Sequence, residues 1–287
     1  MKNRLVLLIM IFISMILFSC QQIISVDIPD STPKLVVQGE ILTDKDSSYV
    51  YLTKSVSYYS NDVYPTVNNA VVTVSYNGKN VLFKPVGNGV YKPDSGFVPP
   101  INTQYGLNIN YDGNTYTSTT FLDQLFNIDY VDSVYTVQTG GGGPGSGGPG
   151  GGGPGGGKPR SGSSVRLWWT DTRMPGKYTY IRFLHTQLEQ QQDSFLRNIV
   201  LLDNSQTNLN SQISFQLPRT YQPGDSVFVI LKSCDYNMYY FFQAYRAQTS
   251  SPPGPFQTPP ANLPTNVRGG AIGYFVASDI RKLWKVL

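Results

Sequence analysis

Charge, imidazole and thiol are all scarce in this chain. Lys, Arg, Asp and Glu together make up only 14% of it, against about 25% in an ordinary globular protein. Glutamate occurs only at Glu40 and Glu189, histidine only at His185, and cysteine only at Cys20 and Cys234. Each shortage excludes something. One His and a spare thiol do not make a structural zinc site. A Ser-His-Asp or Cys-His constellation would have to use His185. That residue shares the parity of Thr179, Ile181 and Phe183 in a strand-like stretch, and it reads as a strand-face side chain. No G-x-S-x-G elbow occurs. A glycosidase would have to draw its paired carboxylates almost wholly from Asp. The net charge of +4 gives no basic field for nucleic acid, and no acidic run is present for cations. Tyr, Asn, Ser, Thr, Gln and Gly fill the gap, as in exported β-proteins whose strands turn neutral polar side chains to solvent.

The N-terminal stretch is patterned differently. Lys2 and Arg4 precede Leu5 to Phe18, an uncharged apolar run broken only by Ser14. Leu17-Phe18-Ser19-Cys20 then has the form of a lipobox. The run has the length of a signal h-region and falls short of the about 20 apolar residues of a membrane span. Residues 1–19 are therefore expected to be a lipoprotein signal peptide, with Cys20 as the lipidation site. A thiol can be alkylated with diacylglycerol and the newly freed amine acylated. Two or three acyl chains anchor stably where one binds only marginally. The bland alternative is an ordinary secretory signal with a chance Cys. Lipidation of Cys20 leaves Cys234 with no intramolecular partner. Beside the apolar run Val227 to Leu231, Cys234 reads as a buried structural thiol.

Residues 20–33 read as a lipidated tether. Residues 34–123 read as an immunoglobulin-like β-sandwich of about seven short strands. Asn77-Gly78, Asn88-Gly89 and Asp112-Gly113 mark its turns, and Tyr105, Leu107, Ile109 and Tyr111 alternate against small and polar neighbours. Residues 124–287 read as a second β-sandwich-like domain with one short helix. Val165 to Thr170, Tyr178 to Thr186, Gln212 to Leu217 and Ser226 to Lys232 have strand character, the last two joined by Pro223-Gly224-Asp225. Asp235 caps a helix in which Tyr236, Tyr239, Tyr240 and Gln243 recur at helical spacing. Gly269 to Val276 reads as a final strand. Residues 140–164 hold a Gly/Pro-rich stretch that cannot pack a core and reads as a flexible loop. The fold class is thus all-β.

Three features of the sequence bear on chemistry. Gly152, Gly157 and Lys158 match a P-loop by letter, but Pro159 stands where a magnesium-binding hydroxyl is needed, and glycine density alone produces the match. Asp44 and Asp46 could chelate calcium, against the commoner reading of a turn bounded by Asp. The aromatic supply remains. Trp168 and Trp169, with the loop residues Tyr58 and Tyr59, are the candidate ligand-binding residues, suited to stacking on sugars or lining a protein contact. The bland reading places half of the aromatics in the core. No catalytic residue, metal or cofactor is expected.

Other segments carry a resemblance. The lipobox and short tether, then Pro33-Lys34-Leu35-Val36-Val37-Gln38-Gly39-Glu40-Ile41, resemble the opening of a Bacteroidota lipoprotein family catalogued as a domain of unknown function (forty-two forty-nine). Val67 to Val74, Asn77-Gly78 and Gly89-Val90-Tyr91 are similar to its next segment. Asn266-Val267-Arg268-Gly269-Gly270-Ala271-Ile272-Gly273-Tyr274-Phe275 resembles its terminal Asn-plus-glycine motif. The Gly/Pro insertion departs from the pattern. The resemblance implies an outer-membrane lipoprotein, often encoded beside a TonB-dependent receptor, and carries over no catalytic residues. The expected function is accordingly a non-enzymatic accessory to such a β-barrel transporter, in ligand capture or uptake. The alternatives are a free-standing glycan or cell-surface binding module, and an Asp-dependent hydrolase. Gln21-Gln22-Ile23-Ile24 follows Cys20 with the first acid at Asp27, which leaves cell-surface exposure open.

Overall fold

The structure is a computed structural model that describes residues 32–57, 60, 63–137, 161–184, 198–249 and 262–287. The first strands run β1 (Leu35–Leu42), β2 (Tyr49–Lys54), β3 (Val71–Tyr76), β4 (Lys79–Gly87), β5 (Val90–Lys92), β6 (Thr103–Tyr111) and β7 (Asn114–Leu122). Asn77-Gly78 and Asp112-Gly113 close the β3–β4 and β6–β7 hairpins with positive φ at both residues, the backbone that a tight hairpin turn requires. Alternation does the rest. Tyr105, Leu107 and Ile109 of β6 point into one core, with Val72 and Val74 of β3 opposite.

The second half contributes β8 (Tyr130–Val137), β9 (Ser161–Asp171), β10 (Tyr178–Leu184), β11 (Ile199–Asp203), β12 (Ser211–Tyr221), β13 (Ser226–Cys234), α1 (Tyr236–Thr249), β14 (Ile272–Ser278) and β15 (Ile280–Val286). Strands β11-β10-β13-β15 form a four-stranded sheet, and β12-β9-β8 a three-stranded one. Their facing sides share a core that includes Leu167, Trp169, Ile181, Val229 and Leu231. The described residues are all-β apart from α1, with sheets packed in sandwich fashion.

Two expectations need correction. The segment 34–123 does not complete its own sheet. β14, from the C-terminal part, pairs parallel with β1 from Val36↔Ile272 to Leu42↔Ser278, giving the order β14-β1-β2-β5-β4-β3-β6-β7. A boundary at 123/124 therefore divides one sheet's strands between two sequence blocks. The reason is that Gly269 to Val276 carries only local strand character, which does not reveal its neighbour. The strands expected on either side of Pro223-Gly224-Asp225 are present as β12 and β13, which enter different sheets. The expected loop over 140–164 ends sooner, since β9 begins at Ser161.

The eight-stranded sheet curls until its end strands meet. Thr117 of β7 and Arg268 exchange backbone hydrogen bonds, and Thr120 Oγ1 accepts the Ala277 N–H at 3.3 Å. Asn266 covers the remaining edge of β14. Its Nδ2 donates to the Phe275 carbonyl at 2.7 Å and its Oδ1 accepts the Phe275 N–H at 2.9 Å, so one amide side chain replaces a neighbouring strand. Gly273 has φ +109, and a Cβ there would meet the Val37 carbonyl oxygen at 2.0 Å. The Asn-plus-glycine segment is thus explained as a closure device of the sheet.

Asp279 alone separates β14 from β15 and fixes the passage between sheets. It is 2% exposed. Its carboxylate accepts Thr43 Oγ1 at 2.8 Å, the Leu125 N–H at 3.0 Å and Arg281 Nη1 at 2.6 Å, while its own N–H donates to Ser233 Oγ at 2.8 Å.

Replacing Asn266 with alanine leaves the Phe275 N–H and C=O without their partner. Asn266→Ala is expected to lower unfolding stability by about 1–3 kcal/mol, read from the urea midpoint at unchanged m-value.

Candidate aromatic binding face

Strand pleating decides what adjacent tryptophans can do. On β9, Val165, Leu167 and Trp169 point inward, so Ser164, Arg166 and Trp168 point out. Trp168 lies opposite Tyr130 of β8 and Ser214 of β12. The Trp168 and Tyr130 rings stack at 5.5 Å with planes 16° apart, and Tyr130 is 47% exposed. The Arg166 guanidinium sits 5.5 Å from the Trp168 ring and donates to Gln216 Oε1 at 3.3 Å. Thr170 Oγ1 donates to Asp129 Oδ2 at 2.9 Å. Gln212, Ser214 and Gln216 stand exposed along β12. The outward side of the three-stranded sheet is therefore a stacked aromatic pair bordered by amides, a hydroxyl, a cation and a carboxylate. Such a face can stack on the C–H side of a sugar ring and hydrogen-bond its hydroxyls. Trp168 Nε1 is covered and has no hydrogen-bond partner, so the indole offers its π-face rather than its N–H.

Trp169 has a different role from the expected one. It is 2% exposed and stacks on Phe126 at 4.6 Å with planes 7° apart. Arg173 lies over the other partner, 4.8 Å from the Phe126 ring. Trp169 is a core residue and leaves the candidate ligand-binding set, because neighbours on a strand cannot share a face. Tyr58, Tyr59 and Cys20, the expected lipidation site, lie outside the described residues, as do His185 and the P-loop-like letters at 152–158. Asp44 accepts Ser47 Oγ at 2.9 Å and pairs with Lys282, while Asp46 accepts the Gly96 N–H at 2.8 Å. Both therefore hold turns. No group of three or more His, Cys, Asp or Glu side chains suited to a metal occurs among the described residues. Cys234 is buried and free, and burial pushes its thiol well above the ordinary value.

Sequence reasoning missed two buried ion pairs. Lys232 Nζ of β13 reaches Glu40 Oε2 of β1 at 2.6 Å, with side-chain exposures of 10% and 2%. Burial, then the Glu40 charge, raises the phenol pKa of Tyr274, and the same two causes raise that of Tyr49. Asp171 pairs with Arg173 at 2.8 Å. Burial there favours the neutral acid, but hydrogen bonds from Arg173 and Asn204 outweigh it and hold the carboxyl below its ordinary range. Only the scarcity of Glu singled out position 40, and sequence spacing carries no trace of a partner 192 residues away.

The Asp235 cap is borne out. Its Oδ1 accepts the Met238 N–H at 2.8 Å, and its Oδ2 accepts Thr120 Oγ1 at 2.7 Å, tying α1 to β7. Burial raises its pKa above the ordinary 3.8 despite these hydrogen bonds.

These features define the class: among the described residues, an all-β protein of packed sheets with one capped helix, two buried ion pairs and an aromatic outward face. Residues 21–283 match the family model described as Domain of unknown function (DUF4249), and the chain belongs to that family. Among solved structures, a two fibronectin type-III domain segment from chicken tenascin is similar at 13% identity, covering 71% of this chain and 92% of that one with a TM-score of 0.21. No curated protein matches the chain. No helix among the described residues is long and apolar enough to cross a membrane.

Adjacent substitutions should separate sharply. Trp169→Ala is expected to cost about 3–5 kcal/mol of stability. Trp168→Ala should cost no more than about 1.5 kcal/mol, the worth of its ring pairing. Chemical denaturation of both variants checks this.

A pH series tests the cap. With its pKa raised in the fold, Asp235 stabilises most below its unfolded value. That contribution falls as pH climbs from about 4 through the folded value, and is constant above it. Asn keeps the cap without the charge. Asp235→Asn should match the wild type near pH 3.5, on the order of the unfolded value, and exceed it at neutral pH. Asp171 and Asp44 titrate in both proteins and drop out of the difference.

Proposed function

We propose that this chain is a non-enzymatic outer-membrane lipoprotein, anchored through Cys20, that captures ligand on the Trp168–Tyr130 face as an accessory to a TonB-dependent transporter. The observation that carries the capture step is the stacked, outward aromatic pair with its border of Arg166, Gln216 and Ser214. The lipobox at Leu17 to Cys20 supports the anchor. Resemblance to a lipoprotein family often encoded beside such receptors supports the partner.

A second reading, a free-standing glycan or cell-surface binding module, is favoured by the same pair, since an aromatic platform with flanking amides suits sugar rings without any transporter.

Mild crosslinking of the tagged, lipidated protein in outer membranes, followed by solubilisation, pull-down and mass spectrometry, distinguishes the two. A stoichiometric TonB-dependent barrel is the expected result, and recovery of the protein alone would sink the accessory role. On a glycan array, Trp168→Ala should lose at least about tenfold in affinity for any sugar bound by the wild type, equivalent to about 1.4 kcal/mol. An unchanged hit pattern would remove the face from the site.

A further inference from the structure

A separate cavity of about 320 Å³ lies between α1 and the outer side of β1 and β14. Phe241, Phe242 and Tyr245 of α1 form one wall, and Val36, Gln38 and Ile272 form the facing one. Tyr274 closes the space from β14. Its ring centroid stands 4.9 Å from that of Phe241 and 6.0 Å from that of Phe242, and the two phenylalanines meet edge to face at 5.4 Å. These rings hold one another, so the aromatic wall exists before anything binds.

Two further features bear on what could enter. Gly273 lines the space as bare backbone, and the approach of the Val37 carbonyl denies any side chain at that position. The Gln38 and Asn262 amides supply the polar groups of the lining besides the two phenols. No Lys, Arg, Asp or Glu is among the described lining residues, and the nearby Glu40 carboxylate is already paired with Lys232. A charged ligand would lose its hydration without a counter-charge, whereas an amide accepts and donates to a neutral polar end. The size sits at the lower end of ligand pockets, about 300–1,000 Å³.

We infer that this cavity is a binding site for a small uncharged molecule with an aromatic or branched apolar body and one hydrogen-bonding end. The body lies against Phe241, Phe242 and Tyr274, and the polar end meets Gln38 or Asn262. The site is independent of the Trp168 face, which lies on the outward side of another sheet.

The test uses the mature chain and the uncharged fluorophore phenylnaphthylamine. Emission should rise and saturate at one probe per chain. Ile272→Trp, which fills the cavity from β14, and Leu263→Trp, at a second lining position in the segment before β14, should each weaken binding by at least about tenfold. Anilinonaphthalene sulfonate, of similar shape but anionic, should bind wild type at least about tenfold more weakly than the neutral probe. Trp168→Ala should leave probe binding unchanged, so loss of glycan binding and loss of probe binding report on different proposals. Absence of saturable binding, equal affinity in a filled variant with a wild-type circular dichroism spectrum, or equal binding of the anionic probe would each overturn the inference.

Discussion

Parallel strands cannot be joined by a tight turn, so a parallel pair always encloses a long crossover. Here the crossover between β1 and β14 contains every other described strand except β15. The first sheet therefore stays incomplete until the C-terminal segment returns to it. Close approach makes the pairing specific. A Cβ at Gly39 would come within 2.7 Å of the Phe275 ring, and Gly273 leaves room for the Val37 carbonyl. Phe275 and Ala277 then fill the core that β1 to β7 began. Without β14, that core would open along the edge of β1.

The same return builds the junction between the sheets. Immediately after β14, Asp279 gathers hydrogen bonds from the β1–β2 turn, from the chain after β7 and from β13. Glu40 and Lys232 add a buried pair across the sheets. Removing two charges from water costs several kcal/mol per ion, and attraction at 2.6 Å offsets this only with good geometry. Such a pair adds little net stability over an apolar contact, but a mispaired arrangement would leave a bare buried charge. Tyr274, Met238 and Phe242 pack beside this pair in a third cluster that belongs to neither sandwich core alone.

The Trp168 face and the α1 cavity come from the same geometric source. Each sheet has an inward and an outward side, and the outward sides are not all covered. On β9, the outward side carries Trp168 with its stacked partner and polar border. On β1 and β14, α1 covers the outward side incompletely and leaves an aromatic-walled space. Capture of a sugar suits the first, and capture of a small neutral molecule suits the second.

The sequence by itself determined the local elements. Hairpins followed from Asn77-Gly78 and Asp112-Gly113, because few residues other than Asn, Asp and Gly accept positive φ there. The strands followed from two-residue alternation, and the α1 start from Asp235, whose carboxylate caps a helix in any context. Family membership was legible too, through short motifs spread along the chain. Tertiary structure alone decided the rest. Which strand neighbours β1, that Trp169 is core while Trp168 faces outward, and that Glu40 finds Lys232 all depend on contacts between residues far apart in sequence. Alternation says that two neighbouring tryptophans face opposite ways. It cannot say which way is inward, since that depends on where the next sheet packs.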